Sequence, residues 1–314
     1  MIPLFAFLLV VNGTVINRTT AKPQPGATVT LYKLGQGGPE ALKSVKSDAS
    51  GKFEIDENPT GPHLLQAAFD GVTYNHMLPP GKPSTGVTVD VYHATRSRGG
   101  AKVTTHMILV EPGDSEIAVN ESIIWRNEGK TAFNDPDNGT LRIFLPAGTG
   151  GKAKIMATAP QGMPIERAPE KTAAAGVYKI DFPIKPGETR FDISYAIPGA
   201  TPSRLSGKVL HGGGPVRAVA PLGVTLAGDS VKMLGQEPAT QASVYEITDP
   251  SSFSLEVQGT GSLRAPETES SDNDDEGSGF RQIRPRIYDR FHAVLALAFL
   301  ILTLGLILLY RKRA

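Results

Sequence analysis

Eighteen consecutive residues near the end of the chain, 293–310 (AVLALAFLILTLGLILLY), carry no charge and are closed by Arg311, Lys312 and Arg313. As a helix they would reach about 27 Å at 1.5 Å rise per residue, enough to cross the hydrocarbon of a bilayer. Thr303 and Gly305 are compatible with this, because a helix satisfies its own backbone and such residues are tolerated in membrane spans. The alternative is a buried helix of a soluble core. The sequence therefore predicts a transmembrane helix over 291–310 in contact with membrane lipid, a cytoplasmic tail of 311–314, and a large N-terminal body tethered to the membrane.

Arg281, Arg284, Arg286 and Arg290 precede the span and three basic residues follow it, so basic flanks alone do not orient the helix. The N-terminus breaks the tie. Residues 1–11 are apolar like the core of a secretory signal, although no Lys or Arg precedes the run and no A-x-A pattern follows it. An atypical or uncleaved signal is one reading and a buried first strand the other. The expected topology is single-pass, with the large N-terminal region outside the cytoplasm, periplasmic or at the cell surface. The chain has no cysteine, so neither a disulfide framework nor a thiolate nucleophile exists, which leans towards a bacterial envelope. Between body and span, residues 261–290 form an acidic stalk expected to be disordered (APETESSDNDDEGSG) and a basic juxtamembrane segment.

Within the body, apolar residues recur with a period of two. Val29 and Leu31 alternate with Thr28, Thr30 and Tyr32; Phe53 and Ile55 with Lys52, Glu54 and Asp56; Val87, Val89 and Val91 with Thr88, Asp90 and Tyr92. Such alternation places one face of a strand on a core and the other in water. Turn residues separate the runs, at 23–26, 48–51, 58–62, 70–71 and 79–81. Residues 96–102 (RSRGGAK) read as a linker. Beyond them alternation resumes, as in Phe191, Ile193, Tyr195 and Ile197, and residues 150–175 read as a long loop. Trp125, the single tryptophan, is expected to pack between sheets. The predicted class is all-β: tandem β-sandwiches, then one C-terminal transmembrane helix.

The stretch from Gly13 (GTVINRTT), the run Pro25-Gly-Ala-Thr-Val-Thr-Leu and the hairpin Ser47-Asp-Ala-Ser-Gly-Lys-Phe-Glu-Ile resemble the carboxypeptidase regulatory-like domain, a transthyretin-like or carbohydrate-binding-like sandwich. The resemblance covers residues 12–95 and implies a fold far more than a function, since such modules occur on unrelated proteins. Related pilin-type domains close a Lys–Asn isopeptide bond, but residues 14–17 offer no lysine for one. Residues 102–260 look immunoglobulin-like, as one large sandwich or two small ones.

No catalytic motif emerges. The histidines at 63, 76, 93, 106, 211 and 292 lack zinc-type spacing, and there is neither a G-x-S-x-G elbow nor a phosphate-binding lysine loop. Asp135, Asp137 and Asn138 gather hard oxygen donors on one turn, a calcium candidate outside the EF-hand pattern. Tyr32, Tyr74 and Tyr92 are expected on exposed sheet faces, where tyrosine rings would stack on sugars. A net charge of +1 provides no basic field, so nucleic acid is not an expected partner. No cofactor is implied. The expected function is a non-catalytic envelope protein that binds a protein partner in the envelope or membrane, or acts as a scaffold. Glycan binding by the N-terminal sandwich is the alternative, and a hydrolase assembled only in three dimensions is the third reading.

Overall fold

The structure, a computed structural model, describes residues 10–263 except 36, 58–60, 82 and 200. Most of the signal-like segment, the stalk, the basic segment, the span and the tail lie outside the described residues. Within them the only helix is a 3-10 turn at Ala147–Thr149, and none is long and apolar enough to cross a membrane.

The first module contains β1 (Val11–Asn17), β2 (Thr28–Gly35), β3 (Gly38–Lys46), β4 (Lys52–Ile55), β5 (His63–Phe69), β6 (Val72–Leu78) and β7 (Val87–Val91). In one sheet β1 pairs antiparallel with β4 and parallel with β7; the other is antiparallel in the order β3-β2-β5-β6. The alternating residues Val29, Leu31, Phe53, Ile55, Val89 and Val91 are buried together between them. Gly13 makes the close pairing of β1 and β7 possible, because a Cβ there would overlap the Val87 carbonyl and the Phe53 ring. The hairpin before β4 is tied by Asp48, whose Oδ1 accepts from the N–H groups of Lys52 and Ser50, both at 2.8 Å. Those bonds hold the Asp48 carboxyl below its ordinary pKa.

The second region is built on one long sheet. Its strands are β8 (Ala101–Pro112), β9 (Glu116–Asn127), β10 (Leu141–Phe144), β11 (Lys154–Thr158), β12 (Val177–Ile180), β13 (Gly187–Pro198), β14 (Ser203–Gly207), β15 (Val216–Ala220), β16 (Thr225–Ala227), β17 (Val231–Gln236), β18 (Ser243–Ile247) and β19 (Phe253–Gln258). The eight-stranded sheet runs from the edge pair Ile165–Glu166 through β11, β13, β9, β8, β15 and β18 to β17. Two three-stranded sheets add to it, one containing β10 and β12, the other β14, β19 and β16. The first encloses a core with Ile123, Trp125 and Phe191; the second encloses one with Ile117, Val119 and Val216. The twelve-residue strands β8, β9 and β13 contribute to both cores, so one sheet serves two half-cores.

Two expectations are corrected. Residues 150–175 hold β11 and two short pairings rather than a plain loop: Ile155 and Ala157 alternate inward between Lys154, Met156 and Thr158, a pattern too short to stand out among Ala, Pro and Lys. The linker is also shorter than read, since Ala101 and Lys102 already pair in β8. The first module is fastened to the second region on both sides of that linker. Ala94–Thr95 pairs in parallel with Ala132–Phe133, the Ala132 N–H donates to the His93 carbonyl (2.9 Å), and Ala132 is itself buried in the first module's core.

Candidate functional site

A cavity of about 170 Å³ opens where the first module meets the second region. The first module contributes Tyr74 from β6, Asp90 from β7 and Tyr92 just beyond; the second region contributes Lys185 and Pro186 from the turn before β13. That turn is held by Ile184, which is fully buried and exchanges both backbone hydrogen bonds with Phe133, at 2.9 and 3.0 Å. With Ile184 facing inward, the next residue is directed to the other side, and Lys185 lines the cavity.

Lys185 Nζ stands 5.1 Å from the centroid of the Tyr74 ring, a cation–π contact. Burial alone pushes its pKa down to about 8, with no carboxylate raising it. The Tyr74 hydroxyl donates to the Tyr92 carbonyl at 2.9 Å, and the two rings lie 5.8 Å apart, tilted by 43°. Burial raises the pKa of both tyrosines. Asp90 is paired with Arg18 at 2.8 Å, so its charge is compensated within the first module.

The structure thus brings together two of the three tyrosines named from sequence. Tyr74 is not on an exposed face: it is 4 % exposed, because Val72, Tyr74 and Leu78 form the inward side of β6. Tyr92 is half-buried. Tyr32 lies on β2 outside the cavity, half-buried, its hydroxyl 3.4 Å from Gln66 Oε1. In the acidic turn, Asp135 accepts from the Asn138 backbone (3.2 Å) and side chain (3.0 Å), while Asp137 pairs with Arg96 at 2.7 Å. Arg142 donates to Asn138 Oδ1 at 3.3 Å. These bonds tie the acidic turn to itself and to Arg96 and Arg142. Among the described residues no three His, Asp or Glu side chains gather in a metal-holding arrangement.

A second constellation was not legible as spacing. On β9, Ile117, Val119, Glu121, Ile123 and Trp125 share one face, and the carboxylate falls between the two half-cores. There Glu121 accepts from the Tyr195 hydroxyl (2.7 Å) and from His106 Nε2 (2.8 Å), and His106 Nδ1 lies 3.0 Å from His211 Nε2. The His106 Nδ1–His211 Nε2 pair shares one hydrogen bond, whose donor is set by which ring carries the proton. His211 Nδ1 is buried without a hydrogen-bond partner. Burial, then the neighbouring His106 and Arg98, push the His211 pKa down to about 4, and burial first, then Glu121, raise that of Tyr195. A carboxylate–histidine relay can activate a nucleophile. The space beside Glu121, His106 and Tyr195 is only about 10 Å³, enough for one water at most.

Residues 10–92 match the carboxypeptidase regulatory-like domain. The matched residues are those of the first module. No curated protein matches the chain. Among solved structures the chain is similar to an M1 zinc metallopeptidase from Deinococcus radiodurans, at 12% identity and a TM-score of 0.26, covering 50% of this chain and 42% of that one. It is similar also to a mutant of that enzyme bound to a Tyr-Ser-Ala substrate, at 11% identity and a TM-score of 0.28 over the same shares. The chain spans less than half the length of these enzymes.

Proposed function

We propose that this chain is a non-catalytic, membrane-anchored envelope protein whose extracytoplasmic β modules bind a partner or act as a scaffold. In this reading a regulatory-like sandwich is followed by an immunoglobulin-like sandwich region, an acidic stalk and a single helix over residues 291–310. The observation that carries it is the junction: the regulatory-like domain is locked to the second region by paired strands and by a residue of one buried in the core of the other. Two modules fastened in this way hold a surface at a fixed geometry, which suits presentation of a binding face. Membrane pellets washed with alkaline carbonate should retain the protein, and protease added to spheroplasts should remove the body and spare the tail. Release by carbonate, or protection of the body, would sink the topology. Co-purification from detergent should yield a stable partner; purified protein that hydrolyses peptides or glycans would overturn the non-catalytic reading.

Carbohydrate binding by the regulatory-like domain is the second reading. The junction cavity favours it, because Tyr74, Tyr92, Asn75 and Asp90 supply aromatic and polar groups on one concave wall. A glycan array probed with the full chain tests it; no signal above a control β-sandwich protein refutes it.

A further inference from the structure

We propose that the junction cavity binds an acidic sugar, one pyranose ring bearing a carboxylate, with the carboxylate on Lys185. The proposal rests on the carbohydrate-binding reading and narrows it to a uronic acid class and to one cation.

The charge arrangement argues for an anion. Lys185 lines the cavity with its Nζ over the Tyr74 ring, and among the described residues no carboxylate pairs with it. The acid nearest to hand in the cavity wall, Asp90, is already engaged by Arg18. A half-buried ammonium with no counter-ion is costly, and a ligand carboxylate relieves that cost through charge-assisted hydrogen bonds. Its pKa near 8 has desolvation as its sole cause, so an anion in contact would restore the full charge.

Size and lining argue for a sugar. About 170 Å³ holds a single small ring rather than a drug-sized ligand or a folded peptide segment. Asn75, Thr88 and Gln161 line its walls beside the half-buried Tyr92 ring. Hydroxyl-rich faces need such amide and hydroxyl partners, while the apolar face of a pyranose needs an aromatic one. The ligand would touch both the regulatory-like domain and the second region, so its occupancy would tighten the junction.

The full chain in mild detergent should bind D-glucuronate in saturation-transfer NMR at least about tenfold more tightly than D-glucose, as expected of a hydrogen bond to a charged group. Acetate should compete poorly, lacking the ring. Lys185→Met should lose the preference for glucuronate while keeping the wild-type circular dichroism spectrum, and Lys185→Arg should retain it. Equal affinity for glucuronate and glucose would remove the anion assignment and leave the carbohydrate reading standing. Acetate competing as well as glucuronate would remove the sugar, and unchanged glucuronate affinity in Lys185→Met would remove the site. Absence of binding by either sugar overturns the proposal; the glycan array then decides separately whether the wider reading survives.

Discussion

Acid should weaken the second region through a single histidine. His211 is largely buried beside His106, and its pKa is pushed down from 6.5 to about 4. The folded state therefore disfavours the charged ring, whereas the unfolded chain accepts a proton near pH 6.5. Stability from this source is complete above pH 6.5, falls as pH drops towards 4, and changes no further below that. Integrated between pH 7 and pH 5, the loss is about 2 kcal/mol, and residual solvent access makes this an upper figure. The window lies above the range in which the low-pKa carboxylates Asp48, Asp135 and Glu237 lose their contribution, so His211 can be isolated there. Trp125 provides the assay. It is the only tryptophan in the chain and fully buried in the half-core next to the network, so its fluorescence in urea follows that region's unfolding. The urea midpoint should fall between pH 7 and pH 5 in the wild type. His211→Gln keeps an amide that can donate to or accept from His106 and cannot titrate; its midpoint should stay nearly level. Equal acid loss in both proteins would refute the reasoning.

Three further outcomes follow from named contacts. Gly13→Ala should cost about 1–3 kcal/mol, because a methyl group meets the Val87 carbonyl where β1 and β7 pair; thermal melts by circular dichroism would show it, and an unchanged melt would contradict the packing. Glu121→Leu should destabilise more than Glu121→Gln, since leucine strips Tyr195 and His106 of their shared acceptor while glutamine retains one, a difference of about 1–3 kcal/mol readable in urea with Trp125. Calcium at millimolar concentration should leave the melting temperature of the full chain where EDTA leaves it, because Asp137 is held by Arg96 and Asp135 by Asn138; a calcium-dependent rise would restore the turn as a metal site.

Where the chain alternates strictly, the sequence displays the fold. Val29 with Leu31, Phe53 with Ile55, and Val89 with Val91 face the core as their spacing requires, and the Asp48 hairpin is written in its own residues. The candidate site was legible only in fragments. Tyr74 was misplaced because a tyrosine in phase with Val72 and Leu78 goes inward once its hydroxyl finds the Tyr92 carbonyl. Glu121 carried a usable signal, a charge in register with Ile117, Val119, Ile123 and Trp125, since a strand cannot turn one residue of that series outward. His211 and Lys185 carried none. They lie in irregular segments, and their neighbours come from strands 105 and more than 90 residues distant in sequence.

The position of the polar network has a structural consequence for the long sheet. β8, β9 and β13 each run twelve residues beneath two half-cores, and apolar alternation alone would let them pair equally well after a slip of two residues. Such a slip would set Glu121 opposite Tyr195 on β13 or opposite His106 on β8 according to its direction, and in either case away from the other partner. The cost of losing one of its two hydrogen bonds falls on the slipped register and spares the native one. Both of Glu121's hydrogen bonds are made only in the native register, which favours the pairing that also places the turn before β13 and Lys185 at the junction cavity.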